Sequence, residues 1–344
     1  MSFPTKMSLP LHLLAPPSFG AEIEIGLPID TAAHGACLIA AAHLALAQHH
    51  ERGGIPVRAV WYDDQRSAEG GHAAARRLAD RGISYVVGHF SSRAAMTAAQ
   101  IYREAGMLFM APGASAPELT ASFGSSTVLR LFGRDDTQAD VIVQRLQQQE
   151  GDVEVYVEDN RYGHSLGAHL QRALTRANKV ARLVVARVAD DTVSAGTGPV
   201  VVAGTREFSA RVLRRLDRSR CRIAGDDACH VAFLDEAGEV ADGVLIPVIA
   251  VAAQHEVAAR LETACRDLIG RPPGAYFLTS YTAIDLLLGV LHHLGDCGGE
   301  RAAARLKERR WSTVLGDLSF SPSGEVTGLE WRLAQVAQRQ FIVP

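Results

Sequence analysis

The chain has no C-x-x-C pair, no G-x-G-x-x-G, no phosphate-binding G-x-x-x-x-G-K-[ST] loop and no run rich in lysine and arginine. These absences remove local support for a zinc ribbon, a dinucleotide enzyme and a nucleotide triphosphatase. With a formal net charge of -3, the chain also lacks the concentrated basic footprint that nucleic acid or an anionic membrane would need. No window of 18 residues is apolar and free of charge, so no segment reads as a bilayer-spanning helix. Cysteine is scarce and odd in number: Cys37, Cys221, Cys229, Cys265 and Cys297 make neither a full disulfide framework nor a metal set. Cys221 and Cys229 could pair across a turn or stand as two small buried hydrophobes, and both readings stay open. His49-His50 and His292-His293 are adjacent pairs, hence on different helix faces, and are expected in solvent rather than on a metal. Neither a cofactor nor a metal is expected.

What is present is a chain of 344 residues, 47% hydrophobic and 21% charged, which is enough for two α/β domains with real cores. Strand-like and helix-like segments alternate throughout. Glu22 to Leu27 and Val57 to Tyr62 read as strands around an Ala-rich helix from about His34 to His50, stopped by Gly53-Gly54. Further strands are expected at Ser84 to Val87, Met107 to Met110, Thr127 to Phe132, Val153 to Glu158, Arg182 to Val188, Val200 to Ala203 and Val244 to Val248. Helices are expected between them and over Gln254 to Ile269, Ser280 to Leu294 and Arg301 to Arg309. Two successive doubly wound, Rossmann-like lobes are the economical architecture.

Two strand ends stand out. Val86-Val87-Gly88-His89-Phe90-Ser91-Ser92 and Met110-Ala111-Pro112-Gly113-Ala114-Ser115 are apolar runs that stop at small and hydroxylated residues. In open α/β sheets ligands bind just outside such carboxyl ends. Small side chains let a ligand approach the backbone, and hydroxyls with helix N-terminal N–H groups seat a carboxylate. The plainer alternative is that these serines only cap their helices.

Val60-Trp61-Tyr62-Asp63-Asp64, Tyr85 to His89, Ala111 to Thr120 and Asn160-Arg161-Tyr162-Gly163 occur in an order, from about Glu22 to Trp331, that resembles the leucine/isoleucine/valine-binding proteins. These are type I periplasmic solute receptors of branched-chain amino-acid ABC importers. The resemblance implies two lobes, 22–134 with 250–324 and 135–249 with 325–344, joined by three hinge crossovers near Arg134, Pro247 to Ala250 and Pro322 to Val326. An amino acid or related small ligand would be enclosed when the lobes close, and handed to membrane subunits of an importer. By the same resemblance Ser92 and Ser115, flanked by Ser91 and Ala114, would hold the ligand carboxylate, and the Gly113 carbonyl would face the ammonium. Asp227 stands where the family has a longer acid that pairs the ammonium, with Asp226 as the alternative register. Tyr162 and Tyr276 would form walls. His34 and Thr205 replace common tyrosines, which enlarges or polarises the pocket.

Two departures and two rivals accompany this reading. Only residues 189–199 connect the strands ending at Val188 and starting at Val200, too few for the family's usual crossover helix, so the second lobe is expected to be trimmed there. Residues 1–21 form an extension whose Ser18-Phe19-Gly20 suits cleavage but whose apolar stretch is broken by Pro10 and His12, leaving periplasmic and cytoplasmic locations both open. A cytoplasmic sensor of the amide-responsive type would use the same fold. Gly163-His164-Ser165-Leu166-Gly167 matches the nucleophile elbow of esterases, although Asp159 to Tyr162 intervene after the strand.

Overall fold

The computed structural model describes residues 22–31, 34–123, 127–186, 196–250 and 255–343. The elements are, in order, β1 (Ile23–Ile29), α1 (Gly35–Glu51), β2 (Val57–Asp63), α2 (Ala68–Asp80), β3 (Tyr85–Val87), α3 (Ser92–Glu104), β4 (Leu108–Ala111), α4 (Glu118–Phe123) and β5 (Val128–Arg130). There follow α5 (Asp135–Leu146), β6 (Val153–Glu158), α6 (Arg161–Arg176), β7 (Ala181–Ala186), β8 (Val200–Ala203), α7 (Arg206–Leu213), β9 (Arg222–Ala224), α8 (Val231–Ala237) and β10 (Leu245–Ile249). The remainder comprises α9 (His255–Ile269), α10 (Phe277–Leu294), α11 (Gly299–Lys307), β11 (Trp311–Thr313), β12 (Gly316–Phe320), β13 (Val326–Thr327), β14 (Trp331–Ala337) and β15 (Gln340–Ile342).

The described residues fall into two compact units. The first comprises those up to Ala114, Glu118–Phe132 and those from 251 to 328; the second comprises Ser115–Pro117, Gly133–Ala250 and those from Leu329 on. In the first, β1 to β5 form a parallel sheet in the order β2-β1-β3-β4-β5, and β11-β12-β13 form a small antiparallel sheet. The apolar runs explain the parallel sheet: every residue of β3 and β4 is buried, as strands covered by helices on both faces require. Gly26 in β1 is needed because a Cβ there would lie 2.7 Å from Leu78 of α2. The long α10 is apolar enough by length and composition to cross a membrane, with a mean hydropathy of 1.2, but it is mostly buried in this unit and packs on α1. Its Tyr281 hydroxyl donates to Gln48 Oε1 at 2.7 Å.

The second unit repeats the wiring. Its sheet runs β15-β14-β10-β9-β8-β6-β7, parallel from β10 to β7, with β14 antiparallel to β10 and β15 antiparallel to β14. Helix starts follow local chemistry: Asn160 caps α6 by accepting the Gly163 N–H at 2.8 Å, and Ser67 does the same for α2 through Gly70 at 2.9 Å in the first unit.

Three expectations need correction. The last crossing was placed at Pro322 to Val326, yet the chain leaves the first unit only after Gly328. Val326–Thr327 pair with Ser319 and Phe320 of β12, and Glu325 pairs with the fully buried Arg130, which hold residues 325–328 there. Ser115–Pro117 and Gly133-Arg134 group instead with the second unit, because the Ser115 carbonyl accepts the Asp135 N–H at 3.0 Å and Gly133 lies against the Trp331 ring. His49 is not in solvent: it is buried, and its Nε2 lies 3.1 Å from the Ile55 carbonyl. The expected strand to Val188 is described over Ala181–Ala186; residues 187–195, which hold the rest of it and most of the short connection at 189–199, lie outside the described residues, as do 1–21.

Candidate functional site

Each parallel sheet has one place where the chain reverses its direction of growth, between β1 and β3 in the first unit and between β6 and β8 in the second. Loops leaving the strands diverge there and open a crevice at the carboxyl ends. The expected residues sit on those loops in both units. His34 follows β1, Ser91 and Ser92 follow β3, and Gly113 and Ala114 follow β4, with Ser115, which groups with the second unit, next in the chain. In the second unit Tyr162 follows β6, Thr205 follows β8, and Asp226 and Asp227 follow β9.

In the first unit aromatic rings gather around Tyr276, the residue just before α10. Phe90 stacks on it at 5.1 Å between centroids, and His34 and Phe132 meet it edge-on at 4.8 and 5.2 Å. Gly113 lies beside this group, where a Cβ would come within 2.5 Å of Phe90 and 3.2 Å of Tyr276. Here glycine is a steric necessity, not a preference. The backbone next to it is pinned from two sides: Thr279 Oγ1 donates to the Pro112 carbonyl at 2.6 Å, and Arg130 Nη1 donates to the Ala114 carbonyl at 2.7 Å. Arg130 is held in turn by Glu325 at 3.1 Å, and Thr120 also donates to Glu325.

Ser91 stands at the N-cap position of α3 but does not cap it; its Oγ points to the Arg66 carbonyl at 3.4 Å. That orientation departs from the plain capping reading and leaves the first N–H groups of α3 without the Ser91 side chain. The loop before it is rigidly propped. His89 has a φ of 54°, is fully buried, and places Nδ1 2.8 Å from Asp64 Oδ2 and Nε2 2.9 Å from the Tyr102 hydroxyl. A left-handed histidine persists only where surrounding contacts over-determine it. Asp64 extends the support by accepting the Arg66 N–H at 2.9 Å.

The second unit offers a different surface, built from carboxylates. Asp226 is buried and its Oδ1 accepts from the Tyr162 hydroxyl at 2.6 Å and from Gln138 Nε2 at 2.7 Å. Burial pushes its carboxyl up to about 6, and burial, with the nearby Asp226 charge, pushes the Tyr162 phenol well above its ordinary range. Asp227 is only half-buried, and its Oδ2 accepts the Arg206 N–H at 2.9 Å at the start of α7. Thr205 Oγ1 donates to Glu158 Oε1 at 3.1 Å, while its N–H donates to Oε2 at 2.6 Å. Asp135 joins the group from α5 and accepts from Ser165 Oγ at 3.0 Å.

Thus the structure brings His34, Gly113 and Tyr276 together in one unit, and ties Tyr162 to Asp226 and Thr205 to Glu158 in the other. Phe90, Phe132, Glu158 and Gln138 escaped the sequence reading. Phe90 was readable as the ring directly before Ser91, and Glu158 as the charge that ends an apolar strand; Gln138 and Phe132 carried no signal. The elbow motif dissolves. Ser165 lies within the body of α6, after Asn160 has capped it, and bonds an acid instead of a histidine, while His164 turns outward to Asp159 at 2.9 Å. Among the described residues no cluster could hold a metal ion.

Comparison with known proteins agrees with this geometry. The model of the periplasmic binding protein family matches residues 30–198. The Leu/Ile/Val/Thr-binding protein of Salmonella typhimurium is 28% identical over 317 residues, covering 84% of this chain and 83% of that protein. Among solved structures, a leucine binding protein from Thermotoga maritima superposes with a TM-score of 0.81 at 19% identity, covering 94% of this chain and 98% of that one. A substrate-binding protein of an ABC transporter from Desulfitobacterium hafniense, in complex with Leu, gives 0.78 at 22% identity, covering 94% and 100%. These two carry the fold, and the sequence likeness runs the same way: the chain is similar to the periplasmic binding proteins, the leucine/isoleucine/valine-binding proteins among them.

Proposed function

We propose that the protein is a receptor that binds an α-amino acid or a close relative, without chemistry, for uptake by an ABC importer. The observation that carries the reading is the pairing of two unlike crests at equivalent places in the wiring. One has hydroxyls, a helix start without a serine cap and aromatic rings; the other has half-buried and buried carboxylates. A zwitterion carries the complement of both. Its carboxylate suits Ser92, Ser115 and the N–H groups of α3, since anions are stabilised at helix N-termini. Its ammonium suits Asp227, which is half-buried and so open to a ligand, whereas Asp226 is buried beneath Tyr162 and Gln138. The Gly113 carbonyl is a second acceptor for it. The ligand's side chain would lie against Tyr276 and His34, with Tyr162 and Thr205 as further walls. The family's receptor role and the engagement of Ser165 inside a helix favour binding over esterase catalysis.

Delivery to importer membrane subunits and a periplasmic location follow from the same family reading. A second reading is a cytoplasmic ligand-sensing regulator on the same fold, in keeping with no disulfide among the described residues. Titration calorimetry against leucine, isoleucine, valine, their amides and small carboxylates tests the ligand class. Absence of heat with every amino acid, together with binding of an acid that lacks the amine, overturns the α-amino-acid assignment. Enclosure of the ligand is checked by a distance ruler between Gln65 and Gln171, which should shorten on binding. Sequencing the mature N-terminus separates the two locations.

A further inference from the structure

Three features lie outside the site: the histidines His49, His50, His292 and His293, the groove between α2 and α3, and a pair of buried thiols. The histidines do not assemble a metal set among the described residues. The groove has nothing that identifies an occupant. The thiols go further.

Cys37 lies in the first turn of α1 and Cys265 near the end of α9, two helices that pack on one another within the first unit. They are 2% and 0% exposed and their sulfurs share a hydrogen bond. The Gly274 N–H also points to Cys37 Sγ at 3.4 Å. We propose that Cys37 and Cys265 are a disulfide-forming pair, a modification site whose reaction partner is a disulfide donor such as oxidised glutathione or a dithiol oxidant of an exporting compartment.

The surroundings assign the roles. Cys37 receives the S–H of Cys265 and the N–H of Gly274, with His34 and Arg271 adding positive character, and its thiol is held down to about 6. The same contact pushes the Cys265 thiol up, and burial pushes Cys221 up. Cys37 is therefore the thiolate near neutral pH. It attacks one sulfur of the donor disulfide, forming a mixed disulfide and expelling one donor thiolate, which takes up a proton. Cys265 then loses its proton and attacks the Cys37 sulfur, expelling the second donor thiolate and closing the Cys37–Cys265 bond. Two protein thiols are oxidised and one donor disulfide is reduced to two thiols. Since neither sulfur is reached by solvent once the unit is packed, the exchange takes place as α1 docks on α9, when the two thiols already meet and a donor can still enter.

The bond would tie α1 to α9 three residues beyond His34, and it does not depend on what ligand binds. Peptide mapping of the full chain, refolded from denaturant in a mixture of oxidised and reduced glutathione and digested without reduction, tests it. The expected product is one linked peptide containing Cys37 and Cys265, two hydrogen atoms lighter than the sum of its parts, and abolished by dithiothreitol. It should persist in Cys221→Ala and vanish in Cys265→Ala. The oxidised chain should melt several degrees above the reduced one. Recovery of Cys37 and Cys265 as separately alkylated peptides, or of Cys37 linked to Cys221, Cys229 or Cys297, overturns the proposal with the wild-type chain alone.

Discussion

The two units share one wiring and differ in chemistry. In each, a parallel sheet reverses its growth beside the first strand, and three loops leave the carboxyl ends around that point. The first unit fills those loops with rings, small residues and hydroxyls, held in place by Arg130, Thr279 and the Asp64–His89–Tyr102 chain. The second fills them with Glu158, Asp226 and Asp227, and the start of α5 adds Asp135. The topology says where a ligand can reach backbone and helix ends; the loop residues say which charge it must carry. That separation explains why one fold serves many ligands.

The comparison breaks most severely if its supports are removed. Arg130→Ala leaves the Glu325 carboxylate without its buried partner and frees the Ala114 carbonyl, and should destabilise the first unit by about 3–5 kcal/mol. Urea denaturation would show it, with the Asp226 network of the second unit as an unaffected reference. Asp227→Asn attacks the acidic crest. Loss of a desolvated charge partner costs about 2–5 kcal/mol, so amino-acid binding should nearly vanish while a ligand without an amine is retained. If Asp226→Asn does this instead, the ammonium register lies one residue earlier.

Next in size is a pH effect confined to the second unit. Burial raises the Asp226 carboxyl from 3.8 to about 6 in the folded chain, so the neutral acid is favoured by folding. Its contribution is therefore fully present below about pH 4 and is lost as pH rises through about 6, a change on the order of 2–3 kcal/mol. The stability of the wild type relative to Asp226→Asn should fall over that window when unfolding is followed at a series of pH values; a difference independent of pH would contradict the buried-acid account. The smallest effect belongs to the hydroxyl that follows the neutral crest in the chain. Ser115→Ala should weaken amino-acid binding by roughly tenfold, the worth of one charge-assisted hydrogen bond. Calorimetric affinities equal to wild type would move the carboxylate away from Ser115.

Much of the parallel framework was legible because buried strands and Ala-rich helices leave strong patterns. The expected strands at Val57 to Tyr62, Ser84 to Val87, Val153 to Glu158 and Val200 to Ala203 coincide with β2, β3, β6 and β8 to within a residue or so. The short pieces were not legible. Strands β11 to β15 alternate weakly and lie between glycine turns such as Gly324 and Gly328, and α8 has only 7 residues, too few to show a helical period. His49 failed for a related reason: polarity argued for solvent, but its ring fills the space beside Gly54, where a Cβ would come within 2.2 Å of it.

By itself the sequence determined the α/β class, the two doubly wound units and the loops on which candidate residues lie, because periodicity and strand-end composition are local properties. Only the tertiary structure decided which of those residues act together. Tyr276 is brought to Phe90, His34 and Phe132 by the packing of α10, Asp226 is claimed by Tyr162 and Gln138, and Cys37 meets Cys265 across 228 residues of chain, counting from 37 to 265. Such partnerships rest on contacts remote in sequence, and on burial that shifts the charge state of the groups involved, neither of which a local pattern contains.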